Sequence, residues 1–291
     1  MRKLGAAMEF RHRLVVALSL SAVVACNAPI DSPLAPIPNG LVVLTFDDGN
    51  KSDITFVAPK LKEYGFGATF YITEGLGYAA DPNKERYVSW EDVRRLHDLG
   101  FEVGNHTGSY PNMANLSKDD VLTNIEVIEQ RCEQHGVPRP ETFVYPGWHH
   151  SLPVVEVLAE MGYLFARRGV SPEHADGGSG ARGRPYDPAE DHPLLIPTTG
   201  YAGPEWDFDD LVWAVDQARD SKIAVLTFHG VPAVEHPWVH TDPEDFIRYM
   251  DYLRDRDCTV IAMRDLVQFV DPTIGPSDPY EPIRSRLAGS D

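Results

Sequence analysis

Four side chains that could do chemistry stand directly after apolar, strand-like runs. Asp47 and Asp48 follow "LVVLTF", in "TFDDG"; His106 follows "FEVGN"; His229 closes "IAVLTFH". Adjacent carboxylates can take separate tasks. One ligates a divalent cation while the other stays free as a base, because the cation's charge keeps both ionised. A cation held by one Asp and one His lowers the pKa of bound water toward neutrality. A nearby carboxylate then accepts the water's proton, and a His opposite protonates the leaving group. That set describes a hydrolytic site for a carbonyl substrate. Singly, each residue says little: "DDG" is common turn chemistry, and a lone His at a strand end is more often only hydrogen-bonded. The elements that carry the four decide whether they meet.

Those elements alternate. Short runs rich in apolar and β-branched residues, "LVVLTF", "GATFYIT", "FEVGNHT", "ETFVYPG", "YLFARR", "LLIPTTG" and "IAVLTFHG", read as strands covered on both faces. Segments with helical spacing lie between most of them: 52–64, 89–99, 117–135, 153–161 and 208–220, with 243–256 after the last. Ser89 and Ser117 stand where N-caps belong, and Gly100, Gly136 and Gly162 follow helix ends. About seven strand–helix units predict an α/β fold, a closed or nearly closed barrel of parallel strands with helices outside. In such folds the site gathers at the carboxyl ends of the strands, where all four residues fall. The segment 169–193, rich in Gly, Pro and charges, is expected to be a lid, a binding loop or disordered.

The chain has 291 residues, a formal net charge of −18 and 11 histidines. Such acidity argues against nucleic acid and against an anionic lipid surface, because phosphate binding needs a basic face. Residues 1–25 read as an export signal: a basic start, then "LVVALSLSAVVA", too short to span a bilayer comfortably. "VVAC" makes Cys26 the expected lipidation site, with secretory cleavage near Ala25 as the alternative. Residues 26–39 read as a Pro-rich tether, 40–272 as the catalytic domain and 273–291 as a C-terminal tail. The expected location is the cell envelope, with a lipid anchor as the only membrane contact; a periplasmic or secreted protein is the alternative. Cys132 and Cys258 are expected to be free thiols.

"TFDDG", "HTGSY" (106–110), "YPG" (145–147) and "TFHG" (227–230) occur in the order and context of the NodB-homology polysaccharide deacetylases, carbohydrate esterase family four. The chain resembles that family over roughly residues 40–270. The resemblance implies a distorted (β/α) barrel and removal of N- or O-acetyl groups from a glycan with a divalent metal, zinc first, cobalt or nickel otherwise. It implies Asp47 as general base, Asp48 and His106 as metal ligands and His229 as general acid. It implies attack by a metal-bound water, and an oxyanion held by the metal and a backbone N–H in the stretch Tyr145, Pro146, Gly147 and Trp148.

Two positions depart from the family pattern. Tyr110 stands where the family has a second His ligand, so the third ligand is open between His150 after "YPGW" and Tyr110 itself. Val144 stands where many members have an Arg that orients the base, and Arg167 or Arg168 is the expected substitute. Trp148 or Trp206 is the expected sugar platform. The rival readings are a catalytically weak glycan-binding lipoprotein on the same fold, and a metallohydrolase of a small non-sugar amide.

Overall fold

The computed structural model describes residues 33–174 and 180–289. Strands β1 (Leu41–Phe46), β2 (Thr69–Ile72), β3 (Glu102–Asn105), β4 (Thr142–Val144), β5 (Phe165–Arg167), β6 (Gly200–Tyr201), β7 (Ala224–Phe228) and β8 (Thr259–Ile261) form one parallel sheet. Its order is β5-β4-β3-β2-β1-β7-β6. The two ends of that path meet through Ile196. Its N–H donates to the Ala166 carbonyl at 2.9 Å, and its carbonyl accepts from Arg168 N–H at 2.8 Å. The expected barrel therefore closes, through a single bridge, and it is distorted there. A second distortion lies at the amino end. β1 pairs with β2 only at Thr45 and Phe46, while Leu41 to Val43 pair with β8, which wedges the two strands apart.

Helices α1 (Ala58–Tyr64), α2 (Trp90–Asp98), α3 (Lys118–Gln134), α4 (Leu152–Glu160), α5 (Phe208–Asp216) and α6 (Pro243–Asp255) cover the outside. They fall on the segments with helical spacing. Ser89 caps α2 in a capping box with Asp92, and Ser117 caps α3. Val42, Leu44 and Phe46 alternate outward against Leu61, Phe70, Leu211 and Phe246 in the largest core cluster. The inside of the barrel holds an apolar cluster of Leu41, Val43, Phe165, Ile196, Val225 and Met263, with tightly bonded polar groups beside it. Glu102 accepts from the Thr69 and Thr142 hydroxyls, both at 2.6 Å, and from Arg264 N–H at 2.8 Å, which ties three strands and the β8 turn together at the amino end. Gly104 has no side chain because Tyr71 fills that space: a Cβ there would meet the ring at 2.3 Å.

Three boundaries differ from expectation. The segment 180–183 pairs antiparallel with 199–201, and Tyr186 bridges Ile223 at the amino end of β7. The described part of 169–193 is thus the crossover between β5 and β6, not a lid. The region expected to be a C-terminal tail carries α7 (Glu281–Ala288), whose Ile283 is buried against the α4 side of the core. Arg286 of α7 bonds Glu173 and Asp191. The end of the expected tether is also folded: Ala35 N–H donates to the Gln268 carbonyl at 2.8 Å, and Ile37 packs on the core. Cys26 lies outside the described residues. Cys132 is buried and free, and Cys258 is half-buried and free.

Candidate active site

The carboxyl ends of β1, β3 and β7 bring Asp47, Asp48, His106 and His229 together. Asp47 continues the ladder, donating its N–H to the Phe228 carbonyl, and His106 does the same with Ile72. The chain then turns sharply, with positive φ at Asp48 (76°), Thr107 (67°), Tyr110 (56°) and Trp148 (63°). Sparsely populated backbone of this kind is held only where the surroundings over-determine it.

Asp47 is 3% exposed, and its partner is Arg167, which is wholly buried. One Arg167 terminal nitrogen contacts both carboxylate oxygens, at 2.7 Å from Oδ1, and the other donates to the Thr198 hydroxyl at 3.0 Å. Arg167 lies over the Tyr71 ring, inside the barrel. Arg168 points elsewhere. It bonds the Leu195 and Ser171 carbonyls and the Glu173 carboxylate, so it does not orient the base. Adjacent residues of a strand face opposite sides, and Arg167 has the inward one.

Asp48 and His106 form an orphaned pair. His106 Nδ1 donates to the Val144 carbonyl at 3.0 Å, which leaves Nε2 with its lone pair in the neutral tautomer. Nε2 lies 3.4 Å from Asp48 Oδ1, and both atoms are buried without a hydrogen-bond partner. Two acceptors at that distance call for a positive charge between them, either a proton on His106 or a metal ion. Burial opposes ionisation of Asp48, yet His106 and the charge of His229 outweigh it and hold the carboxyl below its ordinary value. His229 Nε2 faces both carboxylates, 4.0 Å from Asp47 and 3.8 Å from Asp48. Burial pulls the imidazole below its usual range against the attraction of Asp48 and Asp47.

The residues fit a divalent cation as a two-donor site. An oxygen and a tautomer-fixed nitrogen converge, and the Val144 carbonyl is the outer-sphere partner that a ligating His ordinarily has. Among the described residues no group of three His, Cys, Asp or Glu completes it. His150 is not a third ligand: its Nδ1 is bonded to the Tyr280 hydroxyl at 2.8 Å, and its ring packs against Tyr145 and Tyr280. No local pattern marks this pairing, because Tyr280 lies 130 residues away, in the region expected to be a tail. Tyr110 stands edge-on to His106, with ring centroids 4.9 Å apart, and its hydroxyl accepts the Gly147 N–H at 3.3 Å. Burial and the charges of Asp48 and Asp47 push its pKa up, so the phenol stays neutral.

The turn at 145–148 has less to offer an oxyanion than expected. Tyr145 N–H is spent on the Arg167 carbonyl, Pro146 has none, and Trp148 N–H donates to the Tyr145 carbonyl. Gly147 N–H remains, shared with Tyr110. Trp148 is half-buried against Tyr201, in space that exists only because residue 169 is glycine; a Cβ there would lie 2.0 Å from the indole. Trp206 is 5% exposed and belongs to the core, not to a platform. One residue escaped attention in the sequence: Asp53, wholly buried in a π-helical turn leading into α1, with neither carboxylate oxygen in a hydrogen bond of normal geometry.

Residues 35–166 match the family model described as polysaccharide deacetylase. That stretch belongs to the polysaccharide deacetylase family. A peptidoglycan-N-acetylglucosamine deacetylase from Bacillus cereus is 34% identical over 96 residues, which are 33% of this chain and 32% of that protein. The chain thus spans about a third of the length of that curated relative. Two solved structures share the fold. A family 4 acetyl xylan esterase from Clostridium thermocellum, in complex with a cobalt ion, superposes with a TM-score of 0.53 at 22% identity, over 80% of this chain and 95% of its own. A family 4 pseudoenzyme from Bacillus anthracis gives 0.51 at 16%, over 81% and 70%. The chain therefore shares its barrel with both structures.

Proposed function

We propose that the protein is an exported, lipid-anchored hydrolase that removes acetyl groups from an N-acetylated or O-acetylated glycan. The observation that carries this is the facing of Asp47 and His229 across 4.0 Å, beside the unpartnered Asp48–His106 pair. A buried base with a fixed counter-ion, set opposite an imidazole, has no use in a protein that only binds. Asp48 and His106 would hold a divalent metal, zinc, cobalt or nickel, which when bound polarises the acetyl carbonyl and acidifies a water. The cobalt ion in the Clostridium thermocellum relative supports a metal of this kind.

The chain's own groups supply the proton traffic. Arg167, itself held by the Thr198 hydroxyl, fixes the Asp47 carboxylate, which takes a proton from the attacking water. His229, neutral through burial, lies close enough to receive that proton and pass it to the departing amine or alcohol. Gly147 N–H is the backbone donor nearest the developing oxyanion.

Tyr110 favours a second reading, a weakly catalytic glycan binder, because the ligand set is one short. Acetate release from chitooligosaccharides by purified protein, with and without added zinc, cobalt or nickel, separates the two. The hydrolase reading expects metal-stimulated release that falls about 10²–10⁴-fold in His229→Gln. No acetate from any of these substrates with any of the three metals would overturn it.

A further inference from the structure

The loop after β7 carries an exposed indole beside the site. Trp238 is 62% exposed and its neighbour Val234 is 76% exposed, among the most exposed large apolar side chains of the described residues. Trp238 is the outer end of a row of rings. Its indole stands edge-on to His236, with ring centroids 5.0 Å apart. His236 Nε2 pairs with the Tyr87 hydroxyl at 3.0 Å. The inner end of the row lies against the turn that follows β1, where Tyr87 bridges Asn50, two residues beyond Asp48.

We propose that Trp238 is a carbohydrate-stacking platform, holding a pyranose ring of the glycan next to the sugar whose acetyl group is removed. The inference rests on the deacetylase reading for its choice of ligand. A sugar ring has one apolar C–H face and an equatorial rim of hydroxyls. It is met by an exposed aromatic plane with polar groups beside it. Trp238 offers the plane, and the ion pair at 2.9 Å between Glu235 of the same loop and Arg86 of the segment before α2 offers charged donors and acceptors for the rim. A membrane surface is a poorer occupant: the chain carries a net charge of −18 and would be repelled by anionic lipid.

The platform is rigid, which keeps its binding cost low. Trp238 sits in a short 3₁₀ turn, Pro237–Val239, whose Val239 N–H donates to the His236 carbonyl at 3.0 Å. Val239 is buried with Val170, Tyr201 and Ala233, and Trp148 packs on the same cluster. The turn is thus pinned to the aromatic wall of the site itself. Of the two tryptophans expected to serve as a platform, Trp206 is core and Trp148 is half-buried, so Trp238 has the free face that neither provides.

The test compares wild type, Trp238→Ala and Trp238→Phe on N-acetylglucosamine, chitobiose and chitotetraose. The platform expects KM for chitotetraose to rise about tenfold in Trp238→Ala, with kcat within about twofold and most of the affinity kept in Trp238→Phe. The gain from one sugar to four should shrink accordingly. Deacetylation by Trp238→Ala with wild-type KM at every length would overturn the platform and leave the deacetylase standing. Titration of chitotetraose into wild type and Trp238→Ala by calorimetry reads the platform without turnover. A tenfold weaker Kd in the variant supports it, whereas equal binding, or none to either protein, overturns it. Binding of the wild type to phosphatidylcholine vesicles that is lost in Trp238→Ala, with glycan binding unaltered, also overturns it.

Discussion

Replacing Tyr110 by His tests what the missing ligand costs. The position can accept the change: φ is 56° there, in the left-handed region that His tolerates better than most residues. The phenol also gives up one hydrogen bond, from Gly147 N–H, and its edge contact with His106. A hydrogen bond of this kind contributes about 1 kcal/mol. Without metal, Tyr110→His should therefore be slightly less stable than the wild type. With metal the sign reverses. A third ligand, an imidazole beside Asp48 and His106, should raise zinc affinity by at least the roughly 10–100-fold that outer-sphere partners of metal ligands command. At saturating zinc that corresponds to about 1.4–2.7 kcal/mol of added stability. For a domain of this size about 1 kcal/mol moves Tm by roughly 2–4 °C. The melting curves of the two proteins should cross as zinc replaces a chelator. Calorimetric titration of chelator-treated protein gives the affinities directly. The reasoning fails if zinc binds Tyr110→His no more tightly than the wild type, because the Asp48–His106 pair would then not be a metal site lacking one donor.

Three further outcomes follow from the buried charges. Arg167→Met should cost about 3–5 kcal/mol by leaving Asp47 buried without its partner. The double variant with Asp47→Asn should recover much of that in urea denaturation, and a double as unstable as the single would refute the pairing. Asp53 is pushed well above the ordinary carboxyl range by burial first, then by Asp48 and Asp47, with Asn50 N–H only partly opposing. Its folded form therefore holds a proton that the unfolded chain releases, and stability falls as pH rises above the unfolded value. Asp53→Asn should be the more stable protein at pH 8, with the difference vanishing toward pH 4; an unchanged pH slope would count against this. His150 is lowered to about 4, by burial and then by the charge of Arg168. A base with a depressed folded pKa stabilises fully above about 6.5 and loses that contribution as pH falls toward 4, on the order of 2 kcal/mol by pH 5. His150→Phe should flatten this limb of a Tm-versus-pH curve, and a wild-type limb in the variant would contradict it.

The parallel barrel and four site residues were legible because each strand is a short apolar run that ends on a polar residue. Local pattern also marked the helices, down to the Ser89 and Ser117 caps. Pairing across distance was not legible. Choosing Arg167 over Arg168 needs the inward face of β5, which a three-residue strand does not reveal. His150 looked like a loop residue near Asp48 and His106 because its partner, Tyr280, lies in a segment that looked like a tail. The segment 169–193 has the composition of a lid, yet its backbone bonds are made to 199–201 and Ile223, partners that no periodicity announces. Asp53 was hidden by its setting, since a carboxylate in an exposed-looking helix start normally caps or solvates.

The Asp47–Arg167 pair joins β1 to β5, which are separated by strands whichever way round the barrel one counts. The base is therefore organised only once the ring is complete. A partly synthesised chain, with residues up to 160 made and β5 to β7 still to come, carries both aspartates and His106 but lacks Arg167 and His229. It can hold no ordered base and no acid. Assembly of the buried ion pair and topological closure are thus one event.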